Sequence, residues 1–154
     1  MGWPVKPPGQ LRSRPLPPGT RLRQSRPADT GFSAKVRLDT RTRAGGGDPE
    51  DARCEATGVW LGPYGGEIQH RVARLSGGRG PKAPWWFHTA ANAVLLSAEA
   101  HRVAESRDEG MRKKGFWLKW SGNPLLKPVT LYNGEEKWLA PDGTYTDEPA
   151  GGAA

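Results

Sequence analysis

The sequence predicts a small α+β domain flanked by two tails, and three observations lead to that reading. Apolar Val59, Trp60 and Leu61 are separated from Ile68 by the turn formers Gly62, Pro63, Gly65 and Gly66, which is the pattern of a two-stranded hairpin. Ser97 stands before "AEAHRVAESRDE" and Gly110 behind it, so the segment reads as a capped helix. Asn133-Gly134, between the apolar runs of "PVTLY" and "EEKWLA", is the strongest hairpin signal in the chain, because both residues tolerate the left-handed backbone of a tight turn.

Residues 1–30 carry seven prolines interspersed with Arg and Lys, a composition that blocks regular hydrogen bonding and predicts a disordered basic arm. The arm reads equally as a tail without contacts or as one that tracks DNA. A domain is expected over 31–147. It opens with a short helix entered at Asp29 or Thr30, anchored by Phe32, Val36 and Leu38, and stopped at Gly45-Gly46-Gly47. After the hairpin comes a loop of about 20 residues, "ARLSGGRGPKAPWWFHTAA", longer than most connections in compact domains and therefore a candidate for function. Val94, Leu95 and Leu96 then form a short apolar strand or turn. In the helix behind it, His101, Ala104 and Glu105 share a face, as residues three and four apart do. "GFWLKW" and the runs around Asn133-Gly134 complete the expected strands, with Trp117, Trp120, Leu131 and Trp138 packing on the helix. Residues 148–154 form a frayed tail.

Composition limits the function. A formal charge of +7 favours a polyanionic partner, since Lys and Arg gain affinity for phosphates by releasing condensed counterions. No run approaches the roughly 18 apolar residues of a membrane span, and the N-terminus lacks the apolar centre of a signal peptide, so a soluble cytoplasmic protein without a membrane partner is expected. Cys54 is the one cysteine, which removes any intrachain disulfide and any four-cysteine zinc site. An RNA-binding module is the weaker reading, because no aromatic RNP-type or KH-type motif is present.

The remaining pattern is a strand ending in His70, a long basic loop, Asn92, a short apolar strand, and a helix opening near His101. Together with the flanks "RAGGGDPEDARCEATGVWLG", "EIQHRVARLSGG", "TAANAVLL", "AHRVAESRDEG" and "WLAPDGTYTD", it resembles the HNH endonucleases of the ββα-metal (His-Me finger) fold. The likeness is closest to the small proteins of actinobacterial phages and prophages, and it covers roughly residues 30–147.

That resemblance implies a ββα-metal core and metal-dependent hydrolysis of DNA phosphodiesters. His70 would be the general base, in keeping with a side chain that exchanges protons near neutral pH. Asn92 would tie the loop to the backbone around it, and His101, with Glu105 and Gln69 as helpers, would hold one divalent cation such as Mg²⁺ or Mn²⁺. Arg71, Arg74, Arg79 and Lys82 are the expected phosphate contacts on double-stranded DNA. His88 matches no family position, although it lies four residues before Asn92. Trp85 and Trp86 suit either base stacking or packing.

Two departures stand out. Gln69 occupies the place where many relatives have a ligating Asp or His. Of the family's zinc-knuckle cysteines only Cys54 is present, with Thr57 at the second position and Ser97 and Ala100 near the later pair, so a structural Zn²⁺ is not expected and Cys54 should be buried as a small hydrophobe. The resemblance implies a phage or prophage setting, with terminase or other packaging proteins as partners, and a monomer or weak dimer that nicks one strand. The alternative is a catalytically weak or inactive DNA-binding accessory of a packaging or replication complex.

Overall fold

Ala93–Leu96 (β2) is buried along its whole length and pairs antiparallel with Glu67–His70 (β1), matching Glu67 with Leu96 and His70 with Ala93. The computed structural model describes residues 31–74 and 83–150; the proline-rich arm, Arg79 and Lys82 lie outside them. The architecture is α+β, with short helices around small antiparallel sheets. β1 and β2 form a two-stranded ribbon, and Ser97 caps the following helix, Ala98–Glu105 (α2), by accepting from the Ala100 amide at 3.2 Å.

The partner of β1 corrects the sequence expectation. Residues 59–61 do not form a hairpin with Ile68; Trp60 makes a single bridge to Arg53 instead. The turn formers serve a sharper reversal, in which Gly65 N–H donates to the Leu61 carbonyl at 3.0 Å and the Arg41 guanidinium donates to the Gly65 carbonyl at 2.8 Å. The run Ala93–Leu96, fully buried on both faces, supplies more apolar surface to pair against than the exposed Val59 and Trp60 can.

The pleat divides the ribbon. Val94 and Leu96, with Gln69 and Glu67 opposite them, point to the α2 side, while Ala93 and Leu95, with His70 and Ile68, point to the other. On the first side the main core gathers Cys54, Val94, Leu96, Ala100, Ala104, Met111, Phe116, Val129, Leu131 and Leu139. Cys54 is fully buried there, as expected of a small hydrophobe. On the second side lies the first helix, Ala34–Ala44 (α1). Ser33 caps it, in place of the Asp29 or Thr30 expected, and it ends at Gly45 as expected. It buries Thr40 and Arg43, whereas Leu38, an expected anchor, is 54% exposed.

α2 stops at Glu105, before the Gly110 expected. Arg107 adopts a left-handed backbone (φ 61°), and a five-residue helix, Glu109–Lys113 (α3), starts behind the Asp108 cap. "GFWLKW" is not a strand beyond one bridge between Leu118 and Val72, and Trp120 is exposed. Val129–Thr130 (β3), Glu136–Leu139 (β4) and Tyr145–Thr146 (β5) form an antiparallel meander that turns at Asn133-Gly134, as the sequence predicts. Among the described residues no helix is long and apolar enough to cross a membrane.

A buried ion pair joins α1 to both sheets. Arg43 donates to the two Glu55 carboxylate oxygens at 2.9 and 3.1 Å and to the carbonyls of Ala90 and Ala93, while Glu55 also accepts from the Leu95 amide and from the Tyr145 hydroxyl at 2.6 Å. Burial, reinforced by the Glu55 charge, raises the Tyr145 phenol above its ordinary ionisation range. Tyr145→Phe is expected to cost about 1.5–3 kcal/mol at neutral pH, the worth of a hydrogen bond to a charged group. The sign for alkaline pH follows from the raised value: an unfolded tyrosine ionises near pH ~10 while the folded one resists, so this contribution is lost as pH rises above ~10. Urea titrations from neutral to alkaline pH should therefore show the two proteins converging as the pH increases.

Candidate functional site

His70 ends β1 and is half-buried among aromatic rings. Phe32 stacks on it at 3.8 Å between centroids and 16° between planes, Phe87 is tilted at 5.2 Å, and His88 stands edge-on at 5.7 Å and 83°. The backbone permits this closeness at Gly31, whose φ of 76° is costly for any side chain. A Cβ there would lie 2.9 Å from His70 Cε1 and 3.4 Å from Arg74 Nη1, so both side chains close on the same glycine. Arg74, an expected phosphate contact, is thus beside His70 and exposed.

Asn92 is fully buried at the end of a 3-10 turn, Ala90–Asn92, and all its amide groups are used. Its Oδ1 accepts from the Val72 amide at 2.8 Å, and its Nδ2 donates to the carbonyls of Phe87 at 2.9 Å and Val72 at 3.4 Å. Its own carbonyl accepts from the Arg71 amide at 2.8 Å. The side chain therefore ties the start of the long loop, at Val72, to its end, at Phe87.

Arg71 is a correction. Its side chain is fully buried, and the guanidinium donates to the carbonyls of Gly115, Ala91, Pro124, Lys127 and Pro128. Burial, with Arg43 nearby, lowers its ionisation to about 9, still above neutrality, so a cation is held inside the protein by backbone dipoles. It cannot reach a phosphate, and its role is to join segments far apart in sequence.

His101 and Glu105 sit on the α2 side, away from His70 across the pleat. His101 Nδ1 contacts Glu67 Oε2 at 2.5 Å, and Nε2 lies 3.7 Å from Glu105 Oε1. Glu67 is the participant that sequence reasoning missed; the signal available was its position two residues before Gln69, on the same strand face. A carboxylate taking the Nδ1 proton fixes the tautomer and turns the Nε2 lone pair outward, the arrangement found behind metal-ligating histidines. The Glu105 carboxylate stands on the Nε2 side of the ring, so the imidazole lies between two carboxylates.

The donor set fits a divalent cation in part. A separation of 3.7 Å lets His101 and Glu105 both reach one ion at the usual ~2.0–2.2 Å. Gln69 Oε1 is buried on the same strand face as Glu67 and has no hydrogen-bond partner among the described residues. Among those residues no three of His, Cys, Asp and Glu gather as a metal-binding group. Oxygens of a bound phosphate would have to complete such a shell.

The expected site residues thus fall into two groups on opposite faces of β1, His70, Asn92 and Arg74 with His88 on one, and Gln69, His101 and Glu105 with Glu67 on the other. No family model, curated protein or solved structure matches the chain in comparison with known proteins. The likeness to HNH endonucleases therefore rests on the residues themselves.

Proposed function

We propose that the chain is a metal-dependent DNA endonuclease of the HNH type, with a ββα-metal core made of β1, β2 and α2. The observation that carries this reading is the Asn92 amide, which clamps Val72 and Phe87 on either side of the loop behind His70. A buried asparagine satisfied in that way fixes the loop backbone that carries Phe87, whose ring lies 5.2 Å from that of His70. His70 takes the proton from the attacking water, and the stack of Phe32 restricts its ring to one plane. Arg74 supplies positive charge to the phosphate, and its long side chain follows the backbone without reading sequence. His101, Glu105 and Gln69, across β1 from His70, would hold the cation, which would supply positive charge to a phosphate seated over the end of the strand.

A second reading has its own observation. His70 is half-buried, with Phe32 stacked on its ring and Phe87 beside it. Such cover suits an inactive DNA-binding accessory that retains the fold. The two readings separate on supercoiled plasmid incubated with the protein and Mg²⁺ or Mn²⁺, beside a His70→Ala variant. Cation-dependent nicking that the variant lacks supports the endonuclease; binding in a gel-shift assay with no nicking from either protein supports the accessory. A phage or prophage setting and packaging partners belong to the same proposal.

Asn92→Ala tests the clamp. It leaves the Val72 amide and the Phe87 carbonyl without their partner, at a cost of about 1–3 kcal/mol for each group left unsatisfied. Because Asn92 acts through His70, kcat should fall about tenfold or more while KM for DNA stays within a factor of about two, as a 1 Å misplacement of a catalytic group predicts. Equal changes in kcat and KM would remove the positioning role.

A further inference from the structure

We propose that His88 is a second catalytic residue of this site, donating the proton that the leaving oxygen needs when the phosphodiester bond breaks. The inference rests on the endonuclease reading and deepens it. His88 is exposed, and it presents its ring to His70 at 5.7 Å between centroids, close to perpendicular. Phe87 holds it from behind at 4.9 Å and 80°, and Phe32 lies 6.4 Å away, so the two imidazoles and the two phenyl rings form one cluster.

The separation suits the task. In an in-line displacement the attacking and leaving oxygens stand on opposite sides of one phosphorus, a few ångströms apart, and two imidazoles with this spacing can each reach one of them. The other neighbours of His70 cannot do the same work. Phe32 and Phe87 carry no transferable proton, and a guanidinium acts as a hydrogen-bond donor and not as a general acid. His101 stands across the pleat, with its ring engaged by Glu67 and Glu105.

The step balances without a further reactant. His70 removes a proton from water, the resulting hydroxide oxygen bonds to phosphorus, the bond from phosphorus to the bridging oxygen breaks, and the His88 imidazolium protonates that oxygen as it leaves. His70 then releases its proton to solvent and His88 takes one up. Position explains why a histidine outside the family pattern would take part: the loop that Asn92 ties down delivers residue 88 to the same face of β1 as residue 70.

The test uses two duplex substrates at constant Mg²⁺, one with an ordinary scissile linkage and one in which sulfur replaces the bridging leaving oxygen. A thiolate leaves without protonation. His88→Ala should lower the cleavage rate on the ordinary linkage by about 10²-fold and stay within about threefold of the unaltered protein on the sulfur linkage. His70→Ala should be slow on both. Recovery of His88→Ala on the sulfur linkage also demonstrates that the variant is folded. An unchanged rate on the ordinary linkage, or an equal loss on both, overturns the proton donor while leaving the role of His70 intact. Failure of the unaltered protein to cleave either substrate overturns the endonuclease reading and this inference together.

Discussion

If the proposed endonuclease reading holds, His70→Ala should slow plasmid nicking by about 10²–10⁴-fold, the range that a positioned general base contributes. The protein should still bind DNA, because the charge that attracts phosphates resides on Arg74 and the rest of the basic surface and is untouched by the change. The loss should appear in kcat, since a proton acceptor works on the transition state and not on the resting complex. Added imidazole should restore part of the rate, entering the space the side chain leaves between Phe32 and Phe87. The variant loses a stacked ring pair worth about 0.5–1.5 kcal/mol, so thermal unfolding of both proteins must accompany the assay. A rate within threefold of the unaltered protein, from a variant that melts normally, would remove His70 from the chemistry.

The parts of this site that the sequence foretold are those set by short-range rules. Ser97 caps α2 because a hydroxyl before a helical run satisfies an otherwise unpaired amide, and the i, i+4 spacing of His101 and Glu105 brings them together on any helix. Asn133-Gly134 turns a hairpin for similarly local reasons. What escaped the sequence depends on pairing between distant segments. β1 could have met the apolar run at 59–61 or the one at 93–96, and nothing within β1 distinguishes them; the choice follows from the greater burial of β2. Phe32 over His70 and Glu67 beside His101 are consequences of that pairing, since it decides which side of β1 each helix covers. The same pairing separates His70 from His101 across the pleat, where linear spacing had grouped them. Arg71 misled in another way. A residue type that is mostly exposed, placed beside a histidine in a basic segment, suggests a phosphate contact, and only the folded chain shows carbonyls converging on it.

Arg71→Met should cost at least about 4 kcal/mol, a large share of the roughly 5–15 kcal/mol that holds a domain of this kind folded. Replacing a buried ion pair with apolar side chains is often harmless, because both charges disappear together. Arg71 differs, since its acceptors are backbone carbonyls that no substitution can remove. Gly115, Pro124, Lys127 and Pro128 belong to the irregular stretch between α3 and β3, and Ala91 to the turn that carries Asn92. Each carbonyl left without a donor costs about 1–3 kcal/mol unless water reaches it. Nor can the stretch simply rearrange, because Gly115 (φ 80°) is so close to Pro128 that a Cβ would sit 2.1 Å from its carbonyl oxygen. Arg71→Lys keeps the charge but loses the planar fork that reaches several carbonyls at once, and it should fall between Arg71→Met and the unaltered protein. Urea denaturation of the three proteins gives the order. If Arg71→Met unfolds at nearly the same urea concentration as the unaltered chain, water is satisfying the carbonyls and the guanidinium is not what binds these segments together.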